Sequence, residues 1–428
     1  KVVTQGGRTE TSEAQDTSPE PFDADSARSA ALELARSLAE NVIVARDGAE
    51  FRVGLDFDVE AGVFRAGVLG STLYAGQPGI SLFLAGAFAA SGDLHLHRAA
   101  LAGLQHLRGW LRGAPESVAG SAGLGGFAGL GGLIYSFVQV GRLLGEPALV
   151  DDAKSLASAI SPEMIASDTS YDVVTGAAGC ILGLCALYAE TGSVRALERI
   201  EALGCHLLAR ASTQPVGIGW SCGSEAPLCG MAHGNAGIAL ALMRAWQHSG
   251  RREFRDTALA ALERERSLRD DRHGNWPDLR GGQSGESGGD PEFMSGWCHG
   301  APGIGLARVA LLAVEDLPGA REDLAVAVAS TRGVSLSALH TCCGMAGIDE
   351  ILFEIGRRVG DASLCQQARQ QAMSRIARAA REGWRTHPGF PRRVAVPGFM
   401  QGIAGIGYGL LRMSAANLAL PCVLDLSA

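Results

Sequence analysis

Gly234-Asn235-Ala236-Gly237-Ile238-Ala239-Leu240-Ala241-Leu242-Met243-Arg244-Ala245-Trp246-Gln247-His248-Ser249-Gly250 is the stretch on which the fold turns. Two glycines three apart open it, small and apolar residues fill it, and a glycine closes it 13 residues after the second. That length is between three and four helical turns, and a glycine between Ser and Arg is a good helix stop. The opening Gly-x-x-Gly occurs seven times, at Gly76/Gly79, Gly126/Gly129, Gly176/Gly179, Gly234/Gly237, Gly300/Gly303, Gly344/Gly347 and Gly402/Gly405. The second glycines are 50, 50, 58, 66, 44 and 58 residues apart. One such pair arises easily by chance; seven at near-regular spacing make a repeat.

The first six copies run to a turn glycine, at Gly92, Gly145, Gly192, Gly250, Gly319 and Gly360. Beyond each turn lies an amphipathic segment, such as Val194–Arg210, residues 252–268 and Ala362–Glu382. Each unit therefore reads as an apolar, buried helix, a turn, and a half-polar outer helix. Residues 26–46 supply an outer helix before the first inner one, and the last inner helix, near residues 406–413, ends the series. An open solenoid needs polar capping repeats, whereas both end inner helices here are as apolar as the middle ones. The expectation is an all-α, double-layer α/α toroid of seven inner and seven outer helices over residues 26–428, after a linker at residues 1–25. Residues 51–57 and 63–68 read as a hairpin. The glycine pairs, giving positive φ and close backbone approach, place the residues before them around one central cavity. The longer loops 213–229 and 273–296 shape its mouth.

The chain has 58 glycines among 428 residues, roughly twice the usual ~7 %. Without a G-X-Y period collagen is excluded, so the glycines serve the repeat. A net charge of -8 argues against a nucleic-acid surface. No apolar run reaches the ~18–20 residues of a membrane span, and residues 1–25 lack the apolar stretch of a secretion signal. A cytoplasmic location is expected. The chain starts without Met and reads as an excerpt of a longer one. Ten cysteines in so long a chain are not a disulfide framework; Cys180, Cys185, Cys205 and Cys365 read as reduced core residues.

The two residues before each glycine pair carry the chemistry. Tyr74-Ala75, Leu124-Gly125, Val174-Thr175 and Met400-Gln401 contain no set of metal ligands, but the fourth, fifth and sixth repeats carry Ala232-His233, Cys298-His299 and Cys342-Cys343. Thiols and imidazoles at equivalent loop positions suit a soft, tetrahedral Zn²⁺ site. Adjacent Cys342 and Cys343 are poorly placed for an ordinary disulfide but can reach one metal. Three protein ligands leave an open position, the catalytic pattern, while a histidine in the fourth place would make the site structural. Thiolate-rich ligation suits binding an incoming thiol, which a bound Zn²⁺ deprotonates. His233 and His299 are the acid/base candidates, and Asp172 is an orienting carboxylate or, alternatively, a loop residue.

Ala232-His-Gly-Asn-Ala-Gly237, Trp297-Cys-His-Gly-Ala-Pro-Gly303 and Cys342-Cys-Gly344 resemble the signatures of lanthionine synthetase C-like cyclases, over about residues 26–415. The Cys-Cys-Gly form, with Pro397-Gly398 through Tyr408, is most similar to the C-terminal cyclase domain of type 2 bifunctional lanthipeptide synthetases. The resemblance implies one zinc held by Cys298, Cys342 and Cys343. It implies (methyl)lanthionine formation, a peptide Cys thiolate adding to dehydroalanine or dehydrobutyrine. His233 matches the family's acid/base, and Asp172 a carboxylate in the third repeat. It further implies a dehydrated precursor peptide as substrate, a dehydratase domain N-terminal to this chain, and a monomer. Met294 stands where some stand-alone cyclases carry Arg, and His299 where they can carry Tyr. Two rival readings are a non-catalytic peptide- or glutathione-binding toroid and a protein prenyltransferase-like zinc enzyme. The latter needs a basic, aromatic diphosphate site that the inner helices hardly supply.

Overall fold

The computed structural model describes residues 22–58, 63–281, 292–387, 394–414 and 419–428. The expected linker at residues 1–25 lies outside these up to residue 21, as does the middle of the 273–296 loop. In chain order the helices are α1 (Ala24–Glu40), α2 (Gln77–Ser91), α3 (Leu94–Gly113), α4 (Pro115–Ala122), α5 (Leu130–Leu144), α6 (Pro147–Ala159), α7 (Pro162–Ser167) and α8 (Ala177–Thr191). There follow α9 (Val194–Arg210), α10 (Asn235–Ser249), α11 (Arg252–Ser267), α12 (Ala301–Leu312), α13 (Pro318–Arg332), α14 (Met345–Val359), α15 (Ala362–Glu382) and α16 (Ile403–Ser414). Antiparallel β1 (Val53–Asp58) and β2 (Val63–Val68) form the hairpin before the first repeat.

Two layers follow from two kinds of helix. In α2 every residue from Gln77 to Ala87 is buried, as an apolar run requires when it packs on all sides. In α3 only a stripe is buried, namely Leu96, Ala99, Ala100, Gly103, Leu104, Leu107 and Leu111. The N-caps of α3, α9 and α15 are Asp93, Ser193 and Asp361, whose side chains accept first-turn N–H groups. The inner layer is α2, α5, α8, α10, α12, α14 and α16; each packs on the next, α16 packs on α2, and α1 closes the outer layer against α2 and α16. With α3, α6, α9, α11, α13 and α15 outside, the architecture is the seven-over-seven α/α toroid, and the short α4 and α7 lengthen two connections.

A main-chain circuit ties the starts of the inner helices together. Tyr74 N–H donates to Phe127 O (3.0 Å), Gly126 to Val173 (2.9 Å), Val173 to Ala232 (3.0 Å) and Ala232 to Cys298 (3.2 Å). Trp297 donates to Cys342 (3.0 Å), Cys342 to Met400 (2.8 Å) and Met400 back to Tyr74 (2.7 Å). All seven loops sit on one rim, each buttressed by its neighbour.

Three expectations need correcting. Among the glycine pairs only Gly300 has a positive φ, at 88°; what the second glycines supply is room. A Cβ at Gly303 would run into the carbonyl oxygen of Trp297, and one at Gly405 into that of Phe399. Gly319 does not end the fifth inner helix. α12 stops at Leu312, and Pro318 at the first position of α13 draws Gly319 into the next helix. The ring is also not hollow below the rim. Buried Leu420, Cys422, Val423, Leu424 and Leu426 fill it, with Trp297 donating to Leu424 O (2.9 Å), Tyr135 to Ser427 O (3.1 Å) and Tyr408 to Pro421 O (3.1 Å).

Candidate metal centre

Cys298, in the loop before α12, and Cys342 and Cys343, before α14, meet on the rim. Their sulfurs all lie within 4.8 Å of one another, with Sγ–Sγ separations of 2.8 Å for Cys298–Cys343 and 3.3 Å for Cys342–Cys343. All three are free thiols, Cys298 and Cys342 buried and Cys343 half-buried. Three thiols this close cannot all ionise unaided. S–H groups of Cys342 and Cys343 hydrogen-bond to Cys298 and push its pKa down, while its proximity pushes Cys342 up. A divalent cation among the sulfurs would relieve that conflict, and an all-thiolate donor set is the kind Zn²⁺ takes. The residues present fit such an ion.

Of the imidazoles, His299 follows Cys298 in the same loop and His233 sits one loop away. His233 Nδ1 is 2.6 Å from Asp172 Oδ2. The other carboxylate oxygen accepts Thr175 N–H (2.7 Å), Thr175 Oγ1–H (3.1 Å) and Gly176 N–H (3.2 Å), so the buried Asp172 is fixed by the third repeat's own loop. Burial opposes a charge on His233, but the hydrogen bond and charge of Asp172, aided by Cys298, outweigh it and hold the ring above its usual value. His299 stacks on His233 with ring centroids 5.8 Å apart. Its Nδ1 lies 3.3 Å from Cys229 O, and burial pushes its pKa down. The structure thus brings all six expected site residues together, His299 as a buried neutral ring beneath His233.

A buried ionic frame holds these loops. Glu265 of α11 accepts Gly230 N–H (2.9 Å) and Ala236 N–H (3.1 Å) at the fourth loop. Arg308 of α12, wholly buried, joins Glu265 (2.9 Å) to Asp323 of α13 (3.0 Å). Removing one partner of such a network leaves an uncompensated buried charge, which costs about 3–5 kcal/mol.

Sequence reading missed three neighbours. Tyr74 flanks the thiols, its phenol pushed up by burial and by the charge of and a hydrogen bond to Cys342. His340 Nδ1 accepts Cys343 N–H (3.3 Å) and braces the Cys-Cys turn. Arg280, held by Asp278 (2.5 Å), reaches Met294 Sδ (3.3 Å) and sets a positive charge beside Cys298 and Cys343. Register could have found Tyr74, which stands two before a glycine pair; nothing in its polar loop distinguishes Arg280.

Residues 67–424 match the family described as "Lanthionine synthetase C-like protein". Among solved structures, nisin cyclase is similar with a TM-score of 0.57 at 18 % identity, over 81 % of this chain and 89 % of that one. At that identity the likeness is one of fold. A sugar epimerase from a ruminal bacterium (TM-score 0.45, 10 % identity, 66 % of this chain and 86 % of that one) is more distant. So is an unsaturated glucuronyl hydrolase specific for heparin (0.44, 10 %, 85 % and 99 %). No curated protein matches the sequence. Among the described residues no helix is long and apolar enough to cross a membrane.

Proposed function

The chain belongs to the lanthionine synthetase C-like family, and on that premise we propose that it is a zinc-dependent lanthipeptide cyclase. The reaction joins a cysteine sulfur of a dehydrated precursor peptide to the β-carbon of a dehydroalanine or dehydrobutyrine in the same peptide. The observation that carries this reading is the meeting of three thiols with a His–Asp pair on one rim.

Cys298, Cys342 and Cys343 would hold one Zn²⁺. When bound, it supplies a site at which the peptide thiol is a thiolate at neutral pH. The chain's own residues handle the proton. The sulfur adds to the β-carbon, the π electrons move to the α-carbon and its carbonyl, and the α-carbon then takes a proton. The thiol proton released and the α-carbon proton gained balance. His233, with Nδ1 engaged by Asp172, has Nε2 left for that transfer, and its raised pKa favours the protonated, donating ring. Arg280 puts a positive charge at the mouth, where the enolate oxygen becomes negative. The substrate is the product of a dehydratase, proposed as a domain preceding this chain; the cyclase acts as a cytoplasmic monomer.

The test measures bound metal and peptide thiols together, by alkylation and mass spectrometry on a dehydrated precursor. About one zinc per chain with loss of thiols, and neither in Cys298→Ala, is expected. Zinc without thiol loss on a peptide that a known cyclase closes would favour a binding module; no zinc would end the proposal.

A further inference from the structure

At the other end of the inner helices lies a second polar constellation, which the proposed chemistry does not use. α14 has 15 residues, so its last turn is about 22 Å from the thiol rim at 1.5 Å per residue. There a cavity of about 600 Å³ opens, bordered by Arg142, Arg357, Arg358, Arg369, Arg412 and Phe353. Its size is that of a small-molecule site.

The charges do not cancel within the cavity. Glu354 takes Arg357 (2.8 Å), Arg358 (2.5 Å) and Arg412 (2.5 Å); Asp425 takes Arg358 (2.6 Å), and Glu350 takes Arg412. Five guanidinium groups thus face three side-chain carboxylates and the C-terminal carboxylate of Ala428, which also lines the cavity. Arg142 and Arg369 are the two without a side-chain carboxylate partner among the described residues. Arg369 donates Nε–H to the Met413 carbonyl (3.0 Å) and lies over the Phe22 and Phe353 rings, 5.2 Å from each centroid, with no acidic partner among the described residues. Arg142 is exposed at the end of α5. A chain with net charge -8 has gathered five guanidinium groups around one concavity, one more than the carboxylates that meet them there. Planar, forked donors match the oxygens of carboxylates and phosphates.

We propose that this cavity binds a small anion, a dicarboxylate or a phosphoryl group, with Arg142 and Arg369 as its donors. Phe353, Leu420 and Pro421 on the same wall give the ligand's carbon skeleton an apolar surface. The site is separate from the thiol rim and stands whether or not the chain closes thioether rings.

Isothermal titration of the full chain tests this with two probes, inorganic phosphate and succinate, at a fixed ionic strength of about 0.15 M. Saturable binding of at least one probe is expected, weakening as salt rises. The tighter probe tells a phosphoryl ligand from a dicarboxylate. An Arg142→Ala/Arg369→Gln double variant should bind roughly 100-fold more weakly, about tenfold per charged hydrogen-bonding group. Its circular dichroism and zinc content should be unchanged, and Arg210→Ala, at an exposed site on α9, should bind as the parent does. Failure of both probes to saturate, or a double variant that folds and binds as tightly as the parent, would overturn the proposal.

Discussion

The loops before α10, α12 and α14 and those before α2, α5, α8 and α16 belong to one main-chain circuit, each passing a hydrogen bond to the next. Their side chains differ completely. One arc carries Ala232-His233, Cys298-His299 and Cys342-Cys343; the other carries Tyr74-Ala75, Leu124-Gly125, Val174-Thr175 and Met400-Gln401. The comparison separates scaffold from chemistry. Glycines and the circuit build the rim seven times, and two side chains per loop decide whether a repeat holds a metal, moves a proton or simply packs. Tyr74 and Asp172 show that the quiet arc still contributes, the first flanking the thiols and the second holding His233.

The largest effect should come from emptying the reactive arc. Cys298→Ala is expected to lose its zinc and slow thiol consumption by about 10³-fold or more, the several kcal/mol a metal supplies. Leu124→Ala, at the matching position of the second repeat, should lose about 2–5 kcal/mol of stability and keep its zinc. Metal analysis beside urea unfolding checks both. If Leu124→Ala also lost the metal, the two arcs would not be separable. Next is His233→Ala, expected to be about 10²–10⁴-fold slower with zinc retained; Asp172→Asn should fall in the same direction by less. Single-turnover rates paired with metal content decide this, because a merely structural role would lower both.

Glycine substitutions probe what the arcs share. Gly303→Ala and Gly405→Ala each push a Cβ into a carbonyl and should each cost about 3 kcal/mol, measured by urea unfolding. Both should also weaken zinc binding, Gly303→Ala beside Cys298 and Gly405→Ala through Thr341, which precedes Cys342. Gly250→Ala, where a Cβ meets open space but φ is 72°, should cost only about 1–2 kcal/mol, and Asn there should recover part of it.

The smallest effect is electrostatic. His233 has a raised folded-state pKa, so the His233–Asp172 pair stabilises the fold below the unfolded histidine value of about 6.5. That contribution is lost as pH rises through the folded value. Since the His233 side chain is 35 % exposed, screening limits it to about 1 kcal/mol or less. Urea unfolding of the parent and Asp172→Asn should therefore diverge near pH 5.5 and converge near about pH 9; a constant gap would mean that the pair does not titrate on folding.

Much of this molecule is written in local patterns. Repeat spacing, helix type and the glycine stops at Gly92, Gly145, Gly192, Gly250 and Gly360 depend on nearby residues, and all five stops are left-handed C-caps in the structure. Gly319 misleads because a glycine after Pro318 has the same local signature inside a helix start as in a turn. That five of the candidate residues meet, Asp172 being the sixth and out of register, was legible for a different reason. In a repeat, equal register means equal position on the rim, so Cys298, Cys342 and His233 could be brought together without coordinates.

Register ends where the repeat ends. The segment from Leu420 to Leu426 has no Gly-x-x-Gly to place it, and only the closed ring, with Trp297, Tyr135 and Tyr408 offering donors from inside, shows that it fills the core. Arg280 reaches the thiols from a polar loop, and the guanidinium-lined cavity gathers α5, α14, α15 and α16 from across the circle. Which residues share a rim follows from periodicity, and periodicity is local. What lies between non-equivalent segments does not, because their distances depend on how the ring closes and on no local pattern.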